Sequence, residues 1–212
     1  MQKLLGSDYY DKDYFDNPES KKSSYGKVTN GYSEKIYRPF KVTQGTQIMK
    51  FLGYTSRWRP DSVLVVGCAK GFLVRTMQQL GIKCEGIDIS EYAIKESEKY
   101  TENCKIGNIC DMNEYKDNQF EVVICLETLE HIPEPYLENA LDELCRVAKL
   151  YVVMSTPNGT EDNEKPSDPS QFSVHPPKYW VGELIKRRFM KVFEQMSGSQ
   201  LGEYYYLFTR RI

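Results

Sequence analysis

Val63-Leu64-Val65-Val66-Gly67-Cys68-Ala69-Lys70-Gly71, read together with Gly86-Ile87-Asp88-Ile89, decides the fold. An uninterrupted Val/Leu run marks a strand buried on both faces, as in a parallel sheet. The small residues that follow let bare backbone approach a ligand. About 20 residues further on, Asp88 ends a second apolar strand, where a carboxylate can accept bonds from both hydroxyls of a ribose. A nucleoside-bearing ligand is therefore expected at this junction, against Gly67, Cys68, Ala69 and Gly71.

Outward from that stretch the rhythm is regular. Strand 63–66 leads to a helix over 71–80, which Gly81 stops. Strand 83–88 leads to a helix that Ser90 can cap, running to about Tyr100, and a short strand follows at 104–106. Phe120 to Leu126 reads as a buried strand. Leu137, Ala140, Leu141, Leu144, Val147 and Ala148 recur at helical spacing, and Tyr151 to Met154 reads as the next strand. Strands alternating with helices imply right-handed parallel crossovers, so the chain is expected to be an α/β protein with a doubly wound open sheet. Its site should lie at the carboxyl edge of that sheet. After a helix at about 178–187, the runs Phe189–Gln195 and Tyr204–Thr209 are β-prone and flank Ser-Gly-Ser, which predicts a closing antiparallel hairpin. Between 156 and 178 lie five prolines, a length of loop that in a compact domain is usually functional.

The segment 1–39 is polar and rich in tyrosine (Tyr9, Tyr10, Tyr14, Tyr25, Tyr32, Tyr37), with turn signals and no clear period. It is expected to be an irregular lid, with 40–212 forming the main domain and a helix over 40–52 leading into the first strand. Its rings could stack on a sugar or close over a cofactor, or simply pack across the sheet. Lys186-Arg-Arg188 reads as a solvated helix end, Trp58 as a surface-turn aromatic and Trp180 as a buried helix anchor.

With 28 basic and 30 acidic residues the formal charge is −2, so no global positive field exists to bind a phosphate backbone. Nucleic acid is not an expected partner. The six cysteines (68, 84, 104, 110, 125, 145) show no close pairs of zinc-ligand spacing, and several lie in apolar strands, where reduced Cys acts as a small hydrophobe. A reducing, cytoplasmic location is the expectation. No signal-peptide-like apolar stretch opens the sequence, and no run is long enough to span a bilayer, so a soluble protein is expected.

These residues together resemble the class I S-adenosylmethionine-dependent methyltransferases, over roughly residues 60–157. The resemblance implies a seven-stranded, mostly parallel Rossmann-like sheet ending in a reversed hairpin, and S-adenosylmethionine as cofactor. By that resemblance Gly67-Cys-Ala-Lys-Gly71 is the glycine loop, whose amides and following helix meet the methionine part. Asp88, followed by Ile89, is the ribose-binding acid. Asn108 stands where the family usually has an Asp accepting from the adenine amino group, and Ile109 flanks the ring. Val65 and Ala69 depart from the family, which commonly has an acidic residue and a glycine there. A nicotinamide reading fits less well, because the dinucleotide pattern would want glycines where Ala69 and Phe72 stand.

Leu126-Glu-Thr-Leu-Glu-His-Ile132 leaves the fourth strand where the resemblance puts the sulfonium methyl. It is similar to a signature of small-molecule, quinone and sugar O-methyltransferases. His131 is the natural base, oriented by Glu130 or Glu127. Alternatively Glu127, Glu130 and His131 converge on one face if the turn is helical and hold a divalent metal, with His175 as a fourth ligand. That form is similar to metal-dependent 2′-O-methyltransferases of RNA ends. The plainer reading makes Glu130 and His131 ordered structural residues, and His175 a solvated loop residue. The sequence therefore points to O-methylation of a small polar acceptor, such as a sugar or sugar nucleotide. The competing readings are the RNA-end enzyme and a non-catalytic cofactor-binding subunit.

Overall fold

The computed structural model describes residues 3–17, 19–22, 32, 34–53, 59–157, 168–196 and 203–211. Tyr25 and Trp58 lie outside the described residues. The elements are α1 (Lys12–Asp16), α2 (Glu34–Phe51), β1 (Val63–Val66), α3 (Phe72–Gln79), β2 (Cys84–Asp88), α4 (Glu91–Ser97) and β3 (Cys104–Ile106). They continue with β4 (Phe120–Leu126), a 3₁₀ turn (Leu129–His131), α5 (Glu134–Val147), β5 (Ala148–Pro157), α6 (Pro177–Lys186), β6 (Phe189–Met196) and β7 (Glu203–Arg210). The strands form one seven-stranded sheet in the order β3-β2-β1-β4-β5-β7-β6. β1 with β2, β2 with β3, and β4 with β5 pair in parallel; β7 runs antiparallel to both β5 and β6. The doubly wound α/β sheet with a closing hairpin is thus as the sequence predicts. No described helix is long and apolar enough to cross a membrane.

The chain divides into two compact units. The first is built mainly from residues 5–108 with a short piece at 167–170. All four residues of β1 are buried, as a strand covered on both faces requires. Ser90 caps α4, its side chain accepting from the Ala93 amide. α2 begins six positions before the helix expected from Phe40. Pro39 lies inside it and removes one ladder bond, but both Pro39 and Lys35, whose carbonyl loses its partner, are exposed, so water can satisfy the carbonyl. Burial of Tyr37, Ile48 and Met49 holds the helix across that break.

The second unit comprises residues 1–4, 109–166 and 171–212. α5 buries Leu137, Ala140, Leu141, Leu144 and Val147, the predicted stripe. β5 is longer than the run 151–154 suggests, because its ladder with β7 extends from Tyr151 to Pro157. Trp180 is fully buried, as expected. Arg187 departs from the solvated reading: its side chain is 12% exposed and donates to Asp142 and Glu183.

Candidate functional site

In the first unit the junction after β1 is a tight turn. Gly67, Ala69 and Gly71 have φ of 71°, 47° and 74°. Glycine enters this left-handed region freely, whereas a residue with a Cβ costs roughly 1–2 kcal/mol there. Ala69 therefore sits strained at a position suited to glycine, which explains the glycine that the resemblance expects. The amides of Gly67 and Cys68 donate to the Ile87 carbonyl at 2.9 and 3.0 Å, and that of Gly71 donates to Cys68 O at 3.0 Å. The Ala69 amide donates to Asp88 Oδ2 at 2.8 Å, and the Ser90 amide to Asp88 Oδ1 at 2.9 Å. These four loop amides are engaged within the unit, so the loop would offer a ligand close backbone approach and not amide donors. What the junction offers instead is acceptors. The Asp88 carboxylate takes backbone bonds from Ala69, Ser90 and Ile89 and keeps lone pairs for further donors, and burial raises its pKa. A ribose diol, which presents donors, suits that carboxylate. Ile89 follows it in sequence and Asn108 lies two positions past Ile106, the register partner of Asp88 in β3; both are half-buried.

Sequence reasoning gave the tyrosine-rich segment no defined partners, and the structure supplies them. Tyr14, Phe15, Tyr32, Tyr37, Phe72 and Ala93 form one buried cluster, with Tyr9, Tyr10, Ala69, Tyr92 and Tyr100 packed against it. Tyr32 stacks on Tyr37 at 4.0 Å and on Phe72 at 5.8 Å. Burial pushes its phenol pKa up, and the nearby Tyr37, Asp88 and Cys68 add to that. Lys70, 6% exposed, ion-pairs with Asp16 of α1, which also accepts from Tyr92 Oη. Ser90 Oγ donates to Tyr10 O, and Ser7 Oγ accepts from the Glu91 amide at 2.9 Å. The N-terminal segment is therefore fastened to the glycine loop and to the start of α4. Asp168, 1% exposed, accepts from both the amide and the hydroxyl of Ser170.

In the second unit, β4 ends at Leu126, 6% exposed, and Glu127 takes a φ of 50°. Its amide donates to Ser155 O at 3.1 Å, and its Oε1 accepts from Ser155 Oγ at 2.6 Å. Left-handed backbone at a non-glycine residue is a local strain that concentrates at functional sites. The 3₁₀ turn then buries Leu129, Glu130 and His131. Glu130 is fully inaccessible, and its Oε1 lies 3.9 Å from His131 Nε2. That is close enough for electrostatic support of a charged imidazole, but longer than a hydrogen bond. The Glu130 carbonyl accepts from the amides of Phe172 and Ser173 at 2.7 and 3.0 Å, and Ser173 Oγ donates to Ile132 O at 2.5 Å. The long loop is thereby pinned to the backbone of the Glu-His turn. Ile109 is buried in this unit.

His175 is placed elsewhere. Its Nε2 lies 2.7 Å from Glu134 Oε1, its ring stacks on Tyr179 at 3.7 Å, and its carbonyl accepts from Trp180 Nε1. It is neither a solvated loop residue nor gathered with Glu127, Glu130 and His131. Among the described residues no group of three or more His, Cys, Asp or Glu could hold a metal ion. The turn is 3₁₀ and starts only at Leu129, so Glu127, Glu130 and His131 do not form the helical face that the metal set needs.

Residues 64–151 match a family described as a methyltransferase domain. That stretch runs from β1 into β5 and includes both the Asp88 junction and the Glu-His turn. A ubiquinone biosynthesis O-methyltransferase of Thiobacillus denitrificans is 38% identical over 80 residues, 34% of this chain and 34% of that protein. The chain thus spans about a third of the length of such curated relatives. Magnesium protoporphyrin IX methyltransferase from Synechocystis PCC 6803, solved with bound S-adenosylhomocysteine, superposes with a TM-score of 0.68 at 16% identity, over 88% of this chain and 90% of that one. The PH0226 protein from Pyrococcus horikoshii OT3 gives 0.68 at 20% identity, over 88% and 98%. At such identity the structural likeness carries the fold.

Proposed function

We propose that the protein transfers a methyl group from S-adenosylmethionine to a hydroxyl oxygen of a small polar acceptor, with a sugar or sugar nucleotide as the favoured class. The observation that carries this reading is the Glu130–His131 turn at the end of β4, where a buried carboxylate lies 3.9 Å from an imidazole nitrogen. The cofactor, when bound, supplies an electrophilic methyl on a sulfonium. The chain's own residues have three tasks: to bind, to exclude water and to accept the acceptor's proton. Asp88, with Gly67, Cys68, Ala69, Gly71, Ile89 and Asn108, is assigned to hold the cofactor, together with Ile109 and Leu126. His131 takes the proton from the acceptor hydroxyl, and Glu130 stabilises the resulting imidazolium. Glu127, held by Ser155, shapes the turn rather than touching the acceptor. The similarity to relatives named O-methyltransferases supports oxygen as the acceptor atom. The slight net negative charge and the half-exposed Tyr9 and Tyr10 favour a discrete polar ligand over a polyanion.

The test is His131→Ala, with turnover on a panel of sugar hydroxyl acceptors and S-adenosylhomocysteine affinity measured side by side. The expected result is a fall in kcat of roughly 10²–10⁴-fold with affinity nearly unchanged. Unchanged kcat would remove His131 from the chemistry.

A further inference from the structure

Gly86 of β2 stands between two cysteines. It is in register with Cys104 of β3, and a Cβ built on it would lie 2.7 Å from Cys68 Cβ and 2.9 Å from Cys68 Sγ. The missing side chain leaves a space over β2 that Cys68 fills, beside the register position of Cys104. The Cys68 and Cys104 side chains lie within hydrogen-bonding reach of one another, and the Cys68 thiol also donates to the Ala69 carbonyl at 3.7 Å. The Cys104 sulfur also lies against the turn, 3.0 Å from where a Cβ of Gly71 would be. The two partners differ in access: Cys68 is buried, and Cys104 is partly exposed. Burial pushes the Cys68 thiol pKa up, whereas hydrogen bonding with Cys68 lowers that of Cys104. One sulfur is thus reachable and primed as a nucleophile, and the other is held in contact to resolve it.

We propose that Cys68 and Cys104 form a peroxide-responsive dithiol, and that its disulfide closes the cofactor loop to ligand. The proposal rests on the reading of residues 67–71 as part of the cofactor site. Cys104 sulfur attacks one oxygen of hydrogen peroxide, the O–O bond breaks, and one water leaves with the thiol proton. The resulting sulfenic acid is attacked at sulfur by Cys68. The S–O bond breaks, and the hydroxyl leaves with the Cys68 proton as a second water. Two thiols and one peroxide thus become one disulfide and two waters. An S–S bond is about 2.05 Å, well inside a thiol hydrogen bond, so closure draws Cys68 toward β3. Cys68 directly precedes Ala69, whose strained amide holds Asp88 Oδ2, so the loop and the acid move together.

The test uses the full chain, reduced and then titrated with hydrogen peroxide. Intact mass after thiol alkylation and peptide mapping report the bond, and calorimetry reports S-adenosylhomocysteine affinity. The expected result is loss of two thiol hydrogens mapped to Cys68 and Cys104, with affinity falling at least about tenfold and returning on reduction. Cys104→Ser, with Cys104→Ala as a second variant, should bind S-adenosylhomocysteine like the reduced wild type and keep that affinity under peroxide. A bond that maps to Cys84, no bond at all, or a Cys68–Cys104 bond that leaves affinity unchanged would each overturn the proposal. Reduced wild type that forms the bond but never binds S-adenosylhomocysteine would instead sink the cofactor assignment, and the regulatory claim with it.

Discussion

Replacing Gly86 by Ala asks whether close packing beneath the glycine loop positions the site. The added methyl would stand 2.7 Å from both Cys68 Cβ and Val74 Cγ2, roughly 0.8 Å short of ordinary carbon contact. Gly86 is not in the left-handed region, so the backbone accepts alanine and the penalty is steric. Overpacking of this kind costs about 1–3 kcal/mol, offset by roughly 0.5 kcal/mol from stiffening the unfolded chain. A net loss of about 1–2 kcal/mol should lower the urea midpoint by roughly 0.5–1 M at a slope near 2 kcal/mol per M. Because one clashing partner is Cys68, S-adenosylhomocysteine binding should weaken as well. Val74 is fully buried, and Val74→Ala removes the other clashing atom. The double variant should therefore recover about 1 kcal/mol relative to additivity. An unchanged midpoint for Gly86→Ala, or strict additivity in the pair, would refute the steric account.

Two further outcomes follow from the same contacts. Asp16→Asn leaves the buried Lys70 ammonium without its carboxylate, which should cost about 2 kcal/mol locally, less than a fully buried pair because Asp16 is partly exposed. Hydrogen exchange should then speed up over residues 7–17 while β4 and β5 stay protected; unchanged exchange would show that the Lys70–Asp16–Tyr92 link does not fasten the segment. Glu143 is held below its ordinary value of 4.5 chiefly by its hydrogen bond from Arg146, so the pair stabilises the fold above pH 4.5 and the contribution is lost as pH falls through the lower folded value. Glu143→Gln should be less stable by about 1–2 kcal/mol at pH 7, with the gap closing as the pH drops below 4.5, and a gap independent of pH would contradict the ion-pair reading.

The sheet and the Asp88 junction were legible because their constraints are local in sequence. A buried run needs Val and Leu, a left-handed turn wants glycine, and an acid closing the next strand follows at fixed spacing. The Glu-His turn was legible for the same reason. What escaped were features set by tertiary partners. α2 crosses Pro39 because the lost bond faces water while the opposite face is buried. His175 is claimed by Glu134 and Tyr179, which only the packing of α6 brings to it. Arg187 is drawn inward by Asp142 and Glu183. Lys70 and Tyr32 carried no signal beyond composition, since their partners Asp16, Tyr37 and Phe72 come from separate stretches of chain.

The claim on which the rest depends is that the β1 and β2 ends hold S-adenosylmethionine through Asp88. Isothermal calorimetry with S-adenosylmethionine, S-adenosylhomocysteine and NAD, on wild type and on Asp88→Asn, tests it most directly. The account predicts saturable binding of both sulfur nucleosides, no heat from NAD, and at least about tenfold weaker binding in Asp88→Asn as charge-assisted bonds are lost. Binding of NAD in their place, or full affinity in Asp88→Asn, would contradict it.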